Sequence, residues 1–275
     1  MDKKDTPIGI FDSGVGGLTV MKDIIHELPS YDYLYLGDSA RTPYGNRSYE
    51  SIYRFTLQCV EYLFSQGCHL IILACNTASA KALRTIQQRD LPRIAPKKRV
   101  LGVIRPTAEV IGLHSNTGHV GVLGTTGTVQ SGSYEIEIKQ QFPELAVYQQ
   151  ACPMWVPLVE NSEHNKPGAD YFVKKYLDQI HRQSEEIDTL LLACTHYPLL
   201  IPKIRDMISS DISIISQGPI VATSLQDYLQ RHPEIDKNCS KNGNRRFLTT
   251  DAPELFNHHA TTFFGQEVTS EFIEV

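Results

Sequence analysis

The chain has 275 residues, of which 41% are hydrophobic and 21% charged, with a formal net charge of −5 and a pI near 6.1. An acidic balance with only small basic clusters argues against direct nucleic-acid binding, and no apolar run approaches the ~20 residues of a membrane span. Six cysteines, sparse and irregular in a chain large enough to build its own core, argue against a disulfide framework, and without a C-x-x-C pair or an H-E-x-x-H pattern no metal site is expected.

Residues 1–7 lead straight into an apolar run, without the apolar segment and small-residue cleavage site of an export signal, so the protein reads as cytoplasmic. Apolar, β-branched runs at 8–12, 33–38, 70–76, 100–104, 119–124, 190–195 and 212–216 end in polar residues and read as parallel strands buried on both faces. After Gly17, the spacing of Leu18, Met21, Ile24, Ile25 and Leu28 predicts a helix that stops before Pro29. A second helix is expected from Ser48, a candidate N-cap, to about Gln66, with Ile52, Phe55, Cys59 and Leu63 on one stripe and Gly67 as its stop. This strand–helix alternation implies an α/β fold with mostly parallel sheets.

The chain also resembles itself. Leu70-Ile71-Ile72-Leu73-Ala74-Cys75-Asn76-Thr77 is echoed by Thr189-Leu190-Leu191-Leu192-Ala193-Cys194-Thr195-His196, and more weakly Ile8-Gly9-Ile10-Phe11-Asp12-Ser13-Gly14 by Val120-Gly121-Val122-Leu123-Gly124-Thr125-Thr126. Two similar domains facing one another across a cleft would follow. The prolines and basic residues of Leu91-Pro92-Arg93-Ile94-Ala95-Pro96-Lys97-Lys98 interrupt the pattern. With a return point near Ser209-Ser210-Asp211, this divides the chain into a first domain of 1–98 with 212–275, carrying Cys75, and a second of 99–211, carrying Cys194. Arg245-Arg246 and Lys97-Lys98-Arg99 read as solvated loop charge.

Each Ala-Cys element places a thiol at the C-terminal end of a buried strand, where crevices form in open α/β sheets. A single such cysteine is read as a packed small hydrophobe; a matched pair suits chemistry that removes a proton from one face of a carbon and returns one to the other. A thiol titrates near pH 8.5 unperturbed, within reach of a neighbour's help. His196 would share a face with Cys194 if the strand pleat persisted, and Asp12 would serve Cys75 or cap the following helix. The loop Asp12-Ser13-Gly14-Val15-Gly16-Gly17 offers backbone N–H groups to a carboxylate but lacks dinucleotide-binding spacing, so no dinucleotide cofactor is expected. Asn76, Thr77 and Thr195 offer neutral hydrogen bonds, or are strand-end turn residues. Thr125 and Thr128 lie in a small-residue loop, Pro43-Tyr44-Gly45 forms a turn able to close the cleft, and Glu160 is either a helix or loop carboxylate or a partner of His196.

These strings resemble the glutamate racemase family of the aspartate/glutamate racemase superfamily. They are Phe11-Asp12-Ser13-Gly14-Val15-Gly16-Gly17-Leu18-Thr19-Val20, Leu36-Gly37-Asp38-Ser39-Ala40-Arg41-Thr42-Pro43-Tyr44-Gly45, Ala74-Cys75-Asn76-Thr77-Ala78, Val156-Pro157-Leu158-Val159-Glu160 and Ala193-Cys194-Thr195-His196-Tyr197-Pro198. The resemblance implies two three-layer α/β domains with pseudo-twofold symmetry and an active site in the interdomain cleft. It further implies two-base racemisation without pyridoxal phosphate or metal, the residue matching Cys75 serving D-glutamate and that matching Cys194 serving L-glutamate, assisted by Asp12 and His196. Substrate-binding roles carry over to Asp12, Ser13, Tyr44, Gly45, Asn76, Thr77, Thr195 and His196. D-Glutamate for peptidoglycan and a homodimer are implied as well. Some relatives contact DNA gyrase, a partner to which no residue here points. A relative acting on aspartate fits the paired thiols equally. Arg105 and Gln217 stand where or near where many relatives carry an acidic residue, outside the catalytic strings.

Overall fold

The computed structural model describes residues 6–275; positions 1–5, part of the segment read for an export signal, lie outside them. The strands are β1 (Ile8–Asp12), β2 (Tyr33–Gly37), β3 (Leu70–Leu73), β4 (Arg99–Gly102), β5 (His119–Gly124), β6 (Ala146–Ala151), β7 (Thr189–Ala193), β8 (Ser213–Ile215), β9 (Arg245–Thr249) and β10 (Ser270–Phe272). They form two parallel sheets, ordered β10-β9-β2-β1-β3-β4 and β6-β5-β7-β8. Without β9 and β10 the two orders trace one path: second, first, third, fourth. The sequence echo is thus a structural duplication, with β1 equivalent to β5 and β3 to β7.

That path decides where the site lies. The chain leaves β1 toward β2 and returns to β3 on the other side, so the connections after β1 and β3 part in opposite directions and open a crevice between them. Asp12 ends β1 and Cys75 follows β3; the two strands run in register, with Phe11 opposite Leu73 and Ala74 N donating to Phe11 O at 2.8 Å. In the second unit Gly124 lies opposite Ala193, which brings Thr125 beside Cys194. Every residue of β1, β2, β3 and β7 is buried, as expected where helices cover both faces of a parallel sheet.

Helix α1 (Leu18–Glu27) buries Leu18, Met21, Ile24 and Ile25 and packs against the helix Gln217–Arg231. Helix α2 (Tyr49–Ser65) begins at Ser48, whose Oγ accepts from Ser51 N at 3.2 Å, and buries Ile52, Cys59 and Leu63; Phe55 is only half-buried. It ends as Gly67 takes a φ of 96°, a left-handed value open to glycine. A short helix α3 (Asn76–Lys81) starts directly after Cys75, its N-cap.

Sheet membership corrects the expected boundaries at 98/99 and 211/212. β4 hydrogen-bonds to β3 in the first sheet, and β8 to β7 in the second. Each unit keeps its fourth strand, which covers the open edge of its third, before the chain crosses over. The proline-rich segment before β4 is helical at Leu91–Ile94, with Pro92 in the first turn where no amide hydrogen is needed. Arg245 and Arg246 are exposed but head β9, paired with Tyr33 and Leu34 of β2, so they are strand rather than loop residues. Among the described residues no helix is long and apolar enough to cross a membrane.

Candidate active site

Cys75 and Cys194 line one cavity between the two units, together with Ser13, Tyr44, Asn76 and His196. Its volume of about 50 Å³ holds a few waters, so an amino acid must widen it to enter. Both thiols are nearly closed off, at 5% and 6% exposure. Cys75 Sγ accepts from Ala78 N at 3.4 Å and donates to Ser13 Oγ at 3.6 Å. Burial, reinforced by the Asp12 carboxylate, pushes this thiol up to about 12, so near neutral pH it carries its proton.

The other face differs. β7 ends at Ala193, and His196 is helical in backbone at the start of a 3-10 turn. That turn, rather than a continued pleat, brings its Nδ1 to 4.0 Å from Cys194 Sγ. Its Nε2 lies 3.0 Å from Glu160 Oε1. Burial pulls the imidazole down, but the hydrogen bonds to Cys194 and Glu160 outweigh it and raise the group to about 10. Glu160 is therefore brought to the site, carried by the helix Trp155–Glu160, which Trp155 anchors by an edge-on contact with Tyr197 at 4.8 Å.

Asp12 is fully buried and joins the two faces. Its Oδ2 accepts from Gly14 N at 3.0 Å and its Oδ1 from Thr195 Oγ1 at 3.4 Å. Burial raises its carboxyl above the ordinary value, partly offset by His196. It is not the N-cap of α1, which is Gly17. Within the glycine loop, Asp12 itself takes the Gly14 amide. A Cβ on Gly16 would meet Thr195 and His196 at about 2.5 Å, and one on Gly17 would meet Asp12 at 2.5 Å. Gly16 thus lets the first loop press against Thr195 and His196 of the second unit, and Gly17 leaves room for Asp12 at the end of its own strand.

Tyr44 lines the cavity, but its hydroxyl donates to Asp38 at 2.5 Å. Asp38, fully buried, also takes Arg41 Nε at 2.6 Å and Thr250 Oγ1 at 2.9 Å, and so pins the Thr42–Pro43–Tyr44 turn, whose Thr42–Pro43 bond is cis. Gly45 O accepts from Gly127 N at 2.8 Å across the cleft. Thr77, Thr125 and Thr128 meet as a hydroxyl triangle of 2.9, 3.3 and 3.1 Å that ties α3 to the second unit. Of the expected residues, Ser13, Tyr44, Gly45, Cys75, Asn76, Thr77, Thr125, Cys194, Thr195 and His196 line this cavity, whereas Asp12, Glu160 and Thr128 do not line it and connect to it through hydrogen bonds to Thr195, His196 and Thr77. Arg105 is set apart, exposed and paired with Glu109 at 2.9 Å.

Three contributors escape a reading of the sequence. Cys152, fully buried, lines the same cavity directly after β6, a half-buried strand whose glutamines disguise it. Tyr134 and Gln217 reach Asn76 through hydrogen bonds described below, from positions that no local spacing connects to it.

A sequence profile of the Asp/Glu/Hydantoin racemase family matches residues 8–225. The chain belongs to this family. It is 42% identical to a glutamate racemase of Persephonella marina over 269 residues, covering 98% of this chain and 97% of that protein. A glutamate racemase isoform from Bacillus anthracis superposes with a TM-score of 0.89 at 37% identity, covering 99% and 98% of the two chains. The Francisella tularensis glutamate racemase, solved with D-glutamate, gives a TM-score of 0.86 at 33% identity with 98% of each chain covered. These relatives are racemases, an isomerase class, and the parallel-sheet pair seen here is the fold of these neighbours.

Proposed function

We propose that this protein interconverts L- and D-glutamate by two-base proton transfer without a cofactor. The observation that carries the reading is the pair of buried cysteines at matching strand ends of a duplicated unit, facing one cavity. With L-glutamate, the Cys194 thiolate beside the His196 imidazolium removes the α-proton, and the resulting carbanion takes the Cys75 proton on its opposite face. Cys75 is left as thiolate and Cys194 as thiol, the state that accepts D-glutamate; the two residues exchange roles with direction. Asp12, Ser13, Thr77 and Thr195, with the Asn76 amide, hold the ammonium and carboxylate groups in this proposal, and Tyr44 and Gly45 close the cleft over them.

The proposal extends to a cytoplasmic homodimer whose D-glutamate serves peptidoglycan synthesis. Paired thiols determine proton transfer better than side-chain length, so the substrate is tested directly. Circular dichroism on metal-free protein is expected to show loss of optical activity from L- and from D-glutamate at equal kcat/KM, with aspartate at least roughly 10²-fold slower. Preferential turnover of aspartate contradicts the assignment.

A further inference from the structure

Asn76 is 2% exposed and lines the cavity beside Cys75. Its Nδ2 has no hydrogen-bond partner among the described residues, while its Oδ1 accepts from the Tyr134 hydroxyl. Tyr134, fully buried, accepts in turn from Gln217 Nε2 at 2.5 Å. The same nitrogen reaches Thr107 Oγ1 at 3.0 Å and Val103 O at 3.2 Å.

The far end of this chain sets the direction of every bond in it. A backbone carbonyl only accepts. Val103 O takes the Thr107 hydroxyl proton at 2.9 Å and an N–H of Gln217. Gln217 must therefore turn its nitrogen inward, because its oxygen there would face another oxygen in a buried place. Tyr134 then receives a proton from Gln217 and has its own to give, and Asn76 Oδ1 is where it goes. Asn76 is left with its NH₂ for the cavity.

We propose that Gln217 and Tyr134 are positioning residues that set the polarity of Asn76, so that a buried amide donor rather than a carbonyl oxygen meets the substrate's carboxylate. The identity of that carboxylate rests on the glutamate reading; the orientation of Asn76 does not. A carboxylate at position 217 would repel Val103 O and draw the Tyr134 proton away from Asn76, so Gln217→Glu reverses the relay with little change of shape. Tyr134→Phe removes it.

The test has a substrate-free arm and a kinetic arm. In the substrate-free protein, the ¹⁵N–¹H₂ side-chain resonance of Asn76 is expected as one sharp pair, shifted or doubled in Gln217→Glu and Tyr134→Phe as the amide loses its fixed orientation. In kinetics, each variant is expected to raise KM for both enantiomers roughly tenfold with kcat nearly unchanged, as for loss of binding common to ground and transition states. In an Asn76→Ala background neither substitution should raise KM further, whereas general loosening of the fold would still add its effect. An unchanged Asn76 resonance in a folded variant, or a full additional KM rise in the Asn76→Ala background, overturns the proposal. Wild type that leaves glutamate untouched while the Asn76 resonance shifts as expected sinks the glutamate reading and upholds the relay. Either variant suffices if the other fails to fold.

Discussion

Cys75→Ala and Cys194→Ala are each expected to cut kcat/KM by roughly 10²–10⁴-fold, the range of a lost general acid or base, while far-UV circular dichroism stays native. The loss should be the same for both enantiomers, whichever cysteine is removed. L- and D-glutamate have equal free energy in achiral water, so the ratio of their kcat/KM values is set by an equilibrium constant of one and cannot be changed by any substitution. The faces are told apart by kcat and KM taken separately, since Cys75 is held as thiol and Cys194 lies against a cation. Near-normal turnover by either variant removes that cysteine from the mechanism.

Glu160→Gln tests the second cluster. His196 is raised to about 10 from 6.5 against the pull of burial, with hydrogen bonds to Cys194 and Glu160 responsible. Removing one of these partners should move the alkaline limb of the kcat/KM profile to lower pH and cut the rate above neutrality at least roughly tenfold, the scale of a lost hydrogen bond to a charged group. Stability carries the same signature. A group whose folded pKa is raised contributes fully below its unfolded value and loses that contribution as pH rises through its folded value. The wild-type unfolding free energy should therefore gain from His196 below about 6.5 and lose that gain toward about 10, with a flatter slope in Glu160→Gln. Urea melts across that range measure it, and identical slopes would remove Glu160 as the cause.

Much of this arrangement is legible in the chain because it is local or repeated. β1, α1 and α2 follow from apolar spacing with punctuation at Gly17, Pro29, Ser48 and Gly67, and the doubled Ala-Cys strings reveal the duplicated units. What is illegible depends on partners distant in sequence. β9 starts with two arginines and is a strand only because β2 offers an edge, and β6 carries polar glutamines at the margin of its sheet. Gly16 and Gly17 look like an anion-binding loop, yet packing against His196 and Asp12 decides their use. Tyr134 and Gln217 belong to segments that meet Asn76 only once both units have folded.

If two thiols exchange the α-proton with solvent from opposite faces, α-proton exchange in D₂O reveals it. Metal-free, cofactor-free protein is given L- and D-glutamate separately and followed by proton NMR and circular dichroism. α-Deuterium is expected in product from both enantiomers, accumulating together with loss of optical activity. Racemisation that retains the original α-hydrogen throughout, or no exchange from either enantiomer, contradicts it.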